Sequence, residues 1–266
     1  MHSYLFYLAT GACAGLASGL FGIGGGLILV PALLFVFTAH DIPESIAMHL
    51  AVGSSLASIV ATSASSVSAH AFFGSVLWRV FKPIAIGLLI GALLGAQIAG
   101  LLSGLILKRI FAVFMLITAA QMAFARQPLA SSRRLPGKYG LVGAGLIIGS
   151  VSSLVGIGGG SLMVPYLSWC GTQMRQAVGT SAAAGFPIAI AGTTGFILAG
   201  WSEPILPSAT TGFVYWPAVG GIVVASILVA PIGARLAHLL PAKVLKRIFA
   251  VFLLVVSAQF FMETGY

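Results

Sequence analysis

Ten apolar segments follow one another along this chain, at about 4–21, 27–38, 46–72, 80–102, 105–125, 139–155, 161–170, 176–199, 215–240 and 244–262. A helix rises about 1.5 Å per residue and the hydrocarbon core of a bilayer is about 30 Å thick, so about 20 apolar residues make one crossing. Two segments, 27–38 and 161–170, are too short to cross alone. Of the 266 residues, 59% are hydrophobic and 6% charged, against about 25% charged in a soluble domain. A soluble fold so poor in charge has almost nothing to cover its surface. Disorder, a collagen helix and a small disulfide scaffold are excluded by the same figures. The expected fold class is an all-α polytopic membrane protein in a lipid bilayer, with no soluble catalytic domain. Residues 1–19 carry no basic stretch ahead of the apolar run, which predicts a retained first helix and not a cleaved leader.

The chain also repeats itself. Phe21-Gly-Ile-Gly-Gly-Gly-Leu-Ile-Leu-Val-Pro31 returns as Val155-Gly-Ile-Gly-Gly-Gly-Ser-Leu-Met-Val-Pro165, and Ala51-Val-Gly-Ser-Ser55 as Ala177-Val-Gly-Thr-Ser181. Gly74-Ser-Val-Leu-Trp78 returns as Gly212-Phe-Val-Tyr-Trp216, and Leu107 to Phe114 returns unchanged as Leu245 to Phe252. Four motifs in one order predict a duplicated helical bundle. The first membrane repeat is placed at 1–125 and the second at 139–266, around a basic, polar linker at 126–138. Each repeat has about five helical segments, with a broken or short helix after its Gly-rich motif.

The charges orient the halves. If 4–38 folds as a hairpin, each half crosses an odd number of times and the second half is inverted. One membrane face then receives Arg79, Lys82, Arg126, Arg133, Arg134, Lys138, Arg175, Arg235, Lys243, Lys246 and Arg247. The other receives Lys108 and Arg109 with all four acids, Asp41, Glu44, Glu203 and Glu263. With single crossings there instead, the basic residues divide six against seven. The positive-inside rule favours inverted repeats, with the linker cytoplasmic and both termini and the 39–45 loop periplasmic. That places the chain in a bacterial inner membrane. The net charge of +9 thus reads as topology, with no nucleic-acid partner. Whether 27–38 and 161–170 span or re-enter stays open, and both versions give the inversion.

The Gly-rich motifs are the first candidates for chemistry. A Gly triplet costs a helix about 1 kcal/mol per Gly relative to Ala and frees amides that lipid cannot satisfy. Helix breaks are expected at Gly22, Pro31, Gly156 and Pro165. New helices then start at Leu27 and Ser161, with unpaired amides and a partial positive charge at each start. Gly24, Gly25 and Gly26 with Gly158, Gly159 and Gly160 form an anion site made of backbone. The competing explanation is close helix packing. The second candidates are Ser54 and Ser55 of Gly53-Ser-Ser55, and Thr180 and Ser181 of Gly179-Thr-Ser181. Their hydroxyls can donate to an oxyanion without a charge that would hinder release. Ser63, Ser65, Ser66 and Ser68 have no duplicated partner and read equally as helix–helix or back-bonding hydroxyls.

No Asp or Glu lies deep in a predicted span, where a proton-driven carrier usually has one. His49, four residues before Gly53 on one helix face, could add to the anion site, and its nearest second-half equivalent is Gln176. Lys108-Arg109 and its copy Lys246-Arg247 read as snorkelling cations or as lures for anions. Trp78 and Trp216 read as interfacial anchors. Cys13 and Cys170 sit in apolar segments and read as small core residues. No metal-ligand spacing occurs, so no metal and no cofactor are expected.

With these motifs in place, the chain resembles the sulfite exporter TauE/SafE family of membrane transporters over nearly its whole length. Gly24, Gly25, Gly26 and Pro31 match the family's first motif, and Gly158, Gly159, Gly160 and Pro165 match its copy. Gly53, Ser54 and Ser55, with Gly179, Thr180 and Ser181, match the second. Ser54 stands where the pattern often has Thr, which keeps the hydroxyl. The resemblance implies transport of small sulfur-containing anions such as sulfite and sulfonates. Export is the favoured direction, since an inside-negative potential gives a leaving anion about 2.3 kcal/mol per 100 mV. The alternatives are a passive anion channel with the same residues, and an intramembrane serine hydrolase pairing Ser54 or Ser55 with His49 or His70. The second lacks a G-x-S-x-G elbow and duplicates its nucleophile but not its base, so no catalytic residue is expected. A homodimer is compatible with this reading.

Overall fold

The computed structural model describes residues 2–21, 25–124, 135–239 and 242–263. Among them run ten α-helices: α1 (His2–Phe21), α2 (Gly26–Ala39), α3 (Glu44–Phe72), α4 (Trp78–Leu101), α5 (Gly104–Phe124), α6 (Lys138–Val155), α7 (Gly160–Trp169), α8 (Met174–Ala199), α9 (Trp216–Leu239) and α10 (Ala242–Glu263). Each begins and ends within two residues of its apolar segment. The described sheet is one short hairpin, β1 (Thr210–Thr211) against β2 (Val214–Tyr215). The fold is therefore all-α. By length and composition α3, α4, α5, α6 and α8 can each cross a membrane. The 10 residues of α7 rise only about 15 Å, half the hydrocarbon thickness.

The two sequence halves interlock. The first helix of each half packs along the fourth helix of the other, α1 on α9 and α6 on α4. Glycines make these contacts close. A Cβ at Gly11 would lie 2.5 Å from Ile222 O, and one at Gly15 2.8 Å from Ser226 O. Gly145 and Gly149, the repeat counterparts of Gly11 and Gly15, meet Ile84 O and Leu88 O, the counterparts of those same positions on α4. Such backbone contact replaces the hydrophobic drive that helices lack in lipid.

The third helices, α3 and α8, form the centre. In its most apolar stretch α3 is 83% buried, against 39% for α5. Gly53 lies on Phe196, Leu56 on Gly192 and Ser63 on Gly185, so the register runs in opposite directions along α3 and α8. The fifth helices cross the same way. Lys108 Nζ sits 5.5 Å from the Phe260 ring centroid, and Ser257 donates to Ala112 O at 2.9 Å. Each of these duplicated helices thus runs antiparallel to its own copy.

The helix break of the second half is a glycine turn. Gly156 has φ +77°, a left-handed conformation that L side chains avoid. Its N–H bonds Ser153 O at 3.1 Å, and that of Ile157 bonds Ser152 O at 2.9 Å, which closes α6 as a Schellman cap. Gly22 and Gly24 lie outside the described residues. The expectation of breaks at Pro31 and Pro165 is corrected, because α2 and α7 run through them. Each proline removes only one i→i−4 bond, and in the second half the interruption lies in the glycines before Pro165.

Candidate functional site

The duplicated Gly-Ser/Thr-Ser motifs divide their work residue by residue. A short strap precedes α4 (residues 73–77) and another precedes α9 (residues 211–215). Each strap lies on the other half's motif. Gly179 lets the first strap approach, since a Cβ there would lie 2.6 Å from Ser75 O, and Gly53 does the same for Phe213 O. Thr180 Oγ1 accepts the Leu77 N–H at 2.9 Å, and Ser54 Oγ accepts the Tyr215 N–H at 2.9 Å. These are the amides of the residues immediately before α4 and α9. The second motif position therefore caps a helix of the opposite half.

The third position faces the glycine break. Ser55 Oγ donates to Gly156 O at 2.9 Å, and so satisfies a carbonyl exposed where α6 ends. Beside it, a Cβ at Gly26 would lie 2.5 Å from Gly156 O and 2.9 Å from Ile157 Cα. The start of α2 thus touches the α6–α7 break. Gly25, the α2 N-cap with φ +77°, is held against Ala14 O. Ser181, the counterpart of Ser55, differs. It is 1% exposed, and its Oγ has no hydrogen-bond partner among the described residues.

Ser181 lines a small cleft, with room for about one water molecule, together with Gly158, Gly159 and Gly160. Its other walls are Ser18 of α1, Ile59, Ser63 and Ser66 of α3, and Ala182 and Gly185 of α8. None of these lining residues is charged. Ser63 already donates to Ile59 O at 2.6 Å, so it offers lone pairs to the cleft. The cleft adjoins the first turn of α7, whose buried Ser161 hydroxyl also has no partner among the described residues. Of the expected site residues, the cleft gathers Gly158, Gly159, Gly160 and Ser181. Ser54, Ser55 and Thr180 are engaged with backbone instead, and Gly25 and Gly26 are packed at the break. Ser18, Ile59, Ser161, Ala182 and Gly185 were not singled out from sequence. Only the unduplicated Ser63 and Ser66 hinted at this wall.

His49 lies elsewhere. It is 4% exposed, and its Nε2 is 3.1 Å from both Ala99 O and Leu102 O, where α4 ends. Its ring stacks on Phe213 at 4.9 Å. Its structural counterpart is Arg175, not Gln176. Arg175 Nε donates to Ser75 Oγ at 3.2 Å and Nη2 to Phe73 O at 3.3 Å, and Ser75 is the repeat counterpart of Phe213. No Ser–His pair forms between Ser54 or Ser55 and His49, because each is bonded to backbone. Trp78 and Trp216 are each 46% exposed. The side chains of Lys246 and Arg247, and linker residues 126–134, lie outside the described residues.

The sulfite exporter TauE/SafE family model matches residues 7–260. A probable membrane transporter protein of Haemophilus influenzae is 36% identical over 97% of this chain and 98% of its own length. One of Methanocaldococcus jannaschii is 29% identical over 85% of this chain and 80% of its own. One of Xylella fastidiosa is 28% identical over 97% and 94%. No solved structure matches the chain. With its apolar helices and a match that runs through both copies of every motif, the chain belongs to the sulfite exporter TauE/SafE family and is a membrane transporter.

Proposed function

We propose that the chain carries small sulfur-containing oxyanions, sulfite and short sulfonates among them, across the bacterial inner membrane by alternating access, with export favoured. One observation carries this reading. The buried Ser181 hydroxyl, which has no partner among the described residues, and the opening turn of α7 meet in one uncharged cleft. The first amides of a helix have no earlier carbonyl to bond, and the helix dipole favours negative charge there. Hydroxyls and amides bind an oxyanion without the fixed cation that would retain it.

The two halves act as inverted repeats, 1–125 and 139–266, around this site. The antiparallel register of α3 with α8 and of α5 with α10 supports that arrangement. With the 126–138 linker cytoplasmic, the end of α3 and the start of α8 face the cytoplasm, and the cleft is the inward-facing access. The membrane potential then drives the anion outward.

Flux of labelled sulfite from proteoliposomes at set potentials tests this. The expected result is saturable outward flux that rises with the potential, shows counterflow, and is lost in Ser181→Ala. Absence of flux overturns the proposal, and unsaturable flux without counterflow replaces the carrier with a channel.

A further inference from the structure

Helices α4 and α6 lie side by side and point the same way. A Cβ at Gly87 would meet Val142 O, one at Gly91 Leu146 O and one at Gly95 Ser150 O, so positions advance together along both. Their first residues, Trp78 and Lys138, therefore come to the same end of the fold. The chain has four acidic residues, and all of them go to the other end. A Cβ at Gly104, where α5 starts, would lie 2.6 Å from Glu44 O, and Asp41 precedes Glu44 in one loop. Glu203 follows the end of α8, where a Cβ at Gly100 would lie 2.6 Å from Ala199 Cβ. Glu263 ends α10 beside the start of α5.

The cations at the first end are thus left without carboxylates. Arg175 is spent on Ser75 Oγ and Phe73 O. Arg79, Lys82 and Lys138 are exposed, and their side chains make no hydrogen bond or ion pair among the described residues. Neither α4 nor α6 has an acid in its first turn, and the helix dipole opposes cations at a helix start. Positive charge here is compensated neither by side chains nor by backbone.

Below these cations the same face of α4 is apolar and open. Ile86, Ile90 and Leu93 are exposed and stand four, eight and eleven positions after Lys82, spacings that keep to one helix face. Trp78 beside Arg79 and Tyr139 beside Lys138 are exposed too, and such rings sit at headgroup level. A free anion has no use for an apolar column. A phospholipid matches both parts, with phosphate at the cations and hydrocarbon along the column. A zwitterionic headgroup brings its own cation, so the charge selects an anionic one.

We propose that Arg79, Lys82 and Lys138 form a binding site for an anionic phospholipid of the phosphatidylglycerol class, its headgroup across the starts of α4 and α6 and an acyl chain along Ile86, Ile90 and Leu93. Helix α4 belongs to the first repeat and α6 to the second, so the bound headgroup clips the two halves together. The site is independent of the cleft.

Thermal unfolding of the detergent-purified chain, titrated with dioleoyl phosphatidylglycerol and with dioleoyl phosphatidylcholine, tests this. The wild type gains Tm saturably with phosphatidylglycerol and not with phosphatidylcholine, inorganic phosphate or glycerol phosphate. Arg79→Gln, Lys82→Gln and Lys138→Gln keep the unliganded Tm and each weaken phosphatidylglycerol binding about fivefold, and the Arg79→Gln/Lys82→Gln double variant weakens it about thirtyfold. Lys108→Gln, at the opposite end, binds like the wild type. If one variant fails to fold, the others decide. Equal stabilisation by phosphatidylcholine or by inorganic phosphate overturns the proposal. So does a double variant that binds like the wild type, or a Lys108→Gln protein that loses as much as Lys82→Gln.

Discussion

Tyr215 donates its backbone N–H to the Ser54 hydroxyl at 2.9 Å, a bond between residues 161 positions apart. The bond from Leu77 N–H to Thr180 Oγ1, also 2.9 Å, is its repeat counterpart. Through this pair each half caps the fourth helix of the other, and a motif that recurs as a string of residues becomes a reciprocal clasp between halves.

The clasp separates stability from transport. Ser54→Ala and Thr180→Val each strand an amide, which costs about 1–2 kcal/mol. Ser181→Ala removes a hydroxyl with no partner and costs no stability. Thermal unfolding in detergent will show lower Tm for the first two and none for the third, while sulfite flux fails in the third. The reverse pattern places the ligand at the clasp and not in the cleft.

The interlocked first and fourth helices tolerate no added side chain. At Gly149 a Cβ would lie 2.5 Å from Leu88 O, and at Gly15 2.8 Å from Ser226 O. Gly149→Leu and Gly15→Leu push backbones apart and cost more than the about 1–3 kcal/mol typical of overpacking. Size-exclusion chromatography and circular dichroism will show loss of monodisperse, helical protein in both, with Gly185→Ala as the tolerated control.

His49 holds the end of α4, so His49→Ala releases the Ala99 and Leu102 carbonyls and costs about 1–2 kcal/mol. Its expected signature is a lower Tm with unchanged sulfite affinity in a thermal-shift titration. Unchanged Tm with weakened affinity returns His49 to the anion site.

Sequence alone determined the ten helices, because apolar run length and glycine punctuation are local properties that lipid enforces on any chain. It also determined the duplication, since Gly11 with Gly145 and Gly53 with Gly179 stand at matching repeat positions. It did not show which hydroxyls are free. Ser55 and Ser181 are the same residue in the same motif, yet Ser55 is bonded to Gly156 O and Ser181 has no partner among the described residues. A hydroxyl's partner comes from whichever backbone the opposite half brings to it. The prolines were misleading for a related reason: one missing hydrogen bond is small beside the packing that carries α2 and α7 through Pro31 and Pro165. Only the tertiary structure decided which walls meet the second glycine break, because Ser63 and Ser66 of α3 and Ser181 of α8 come together beside Gly158–Gly160 only through the packing of one half on the other, and a wall has meaning only against what faces it.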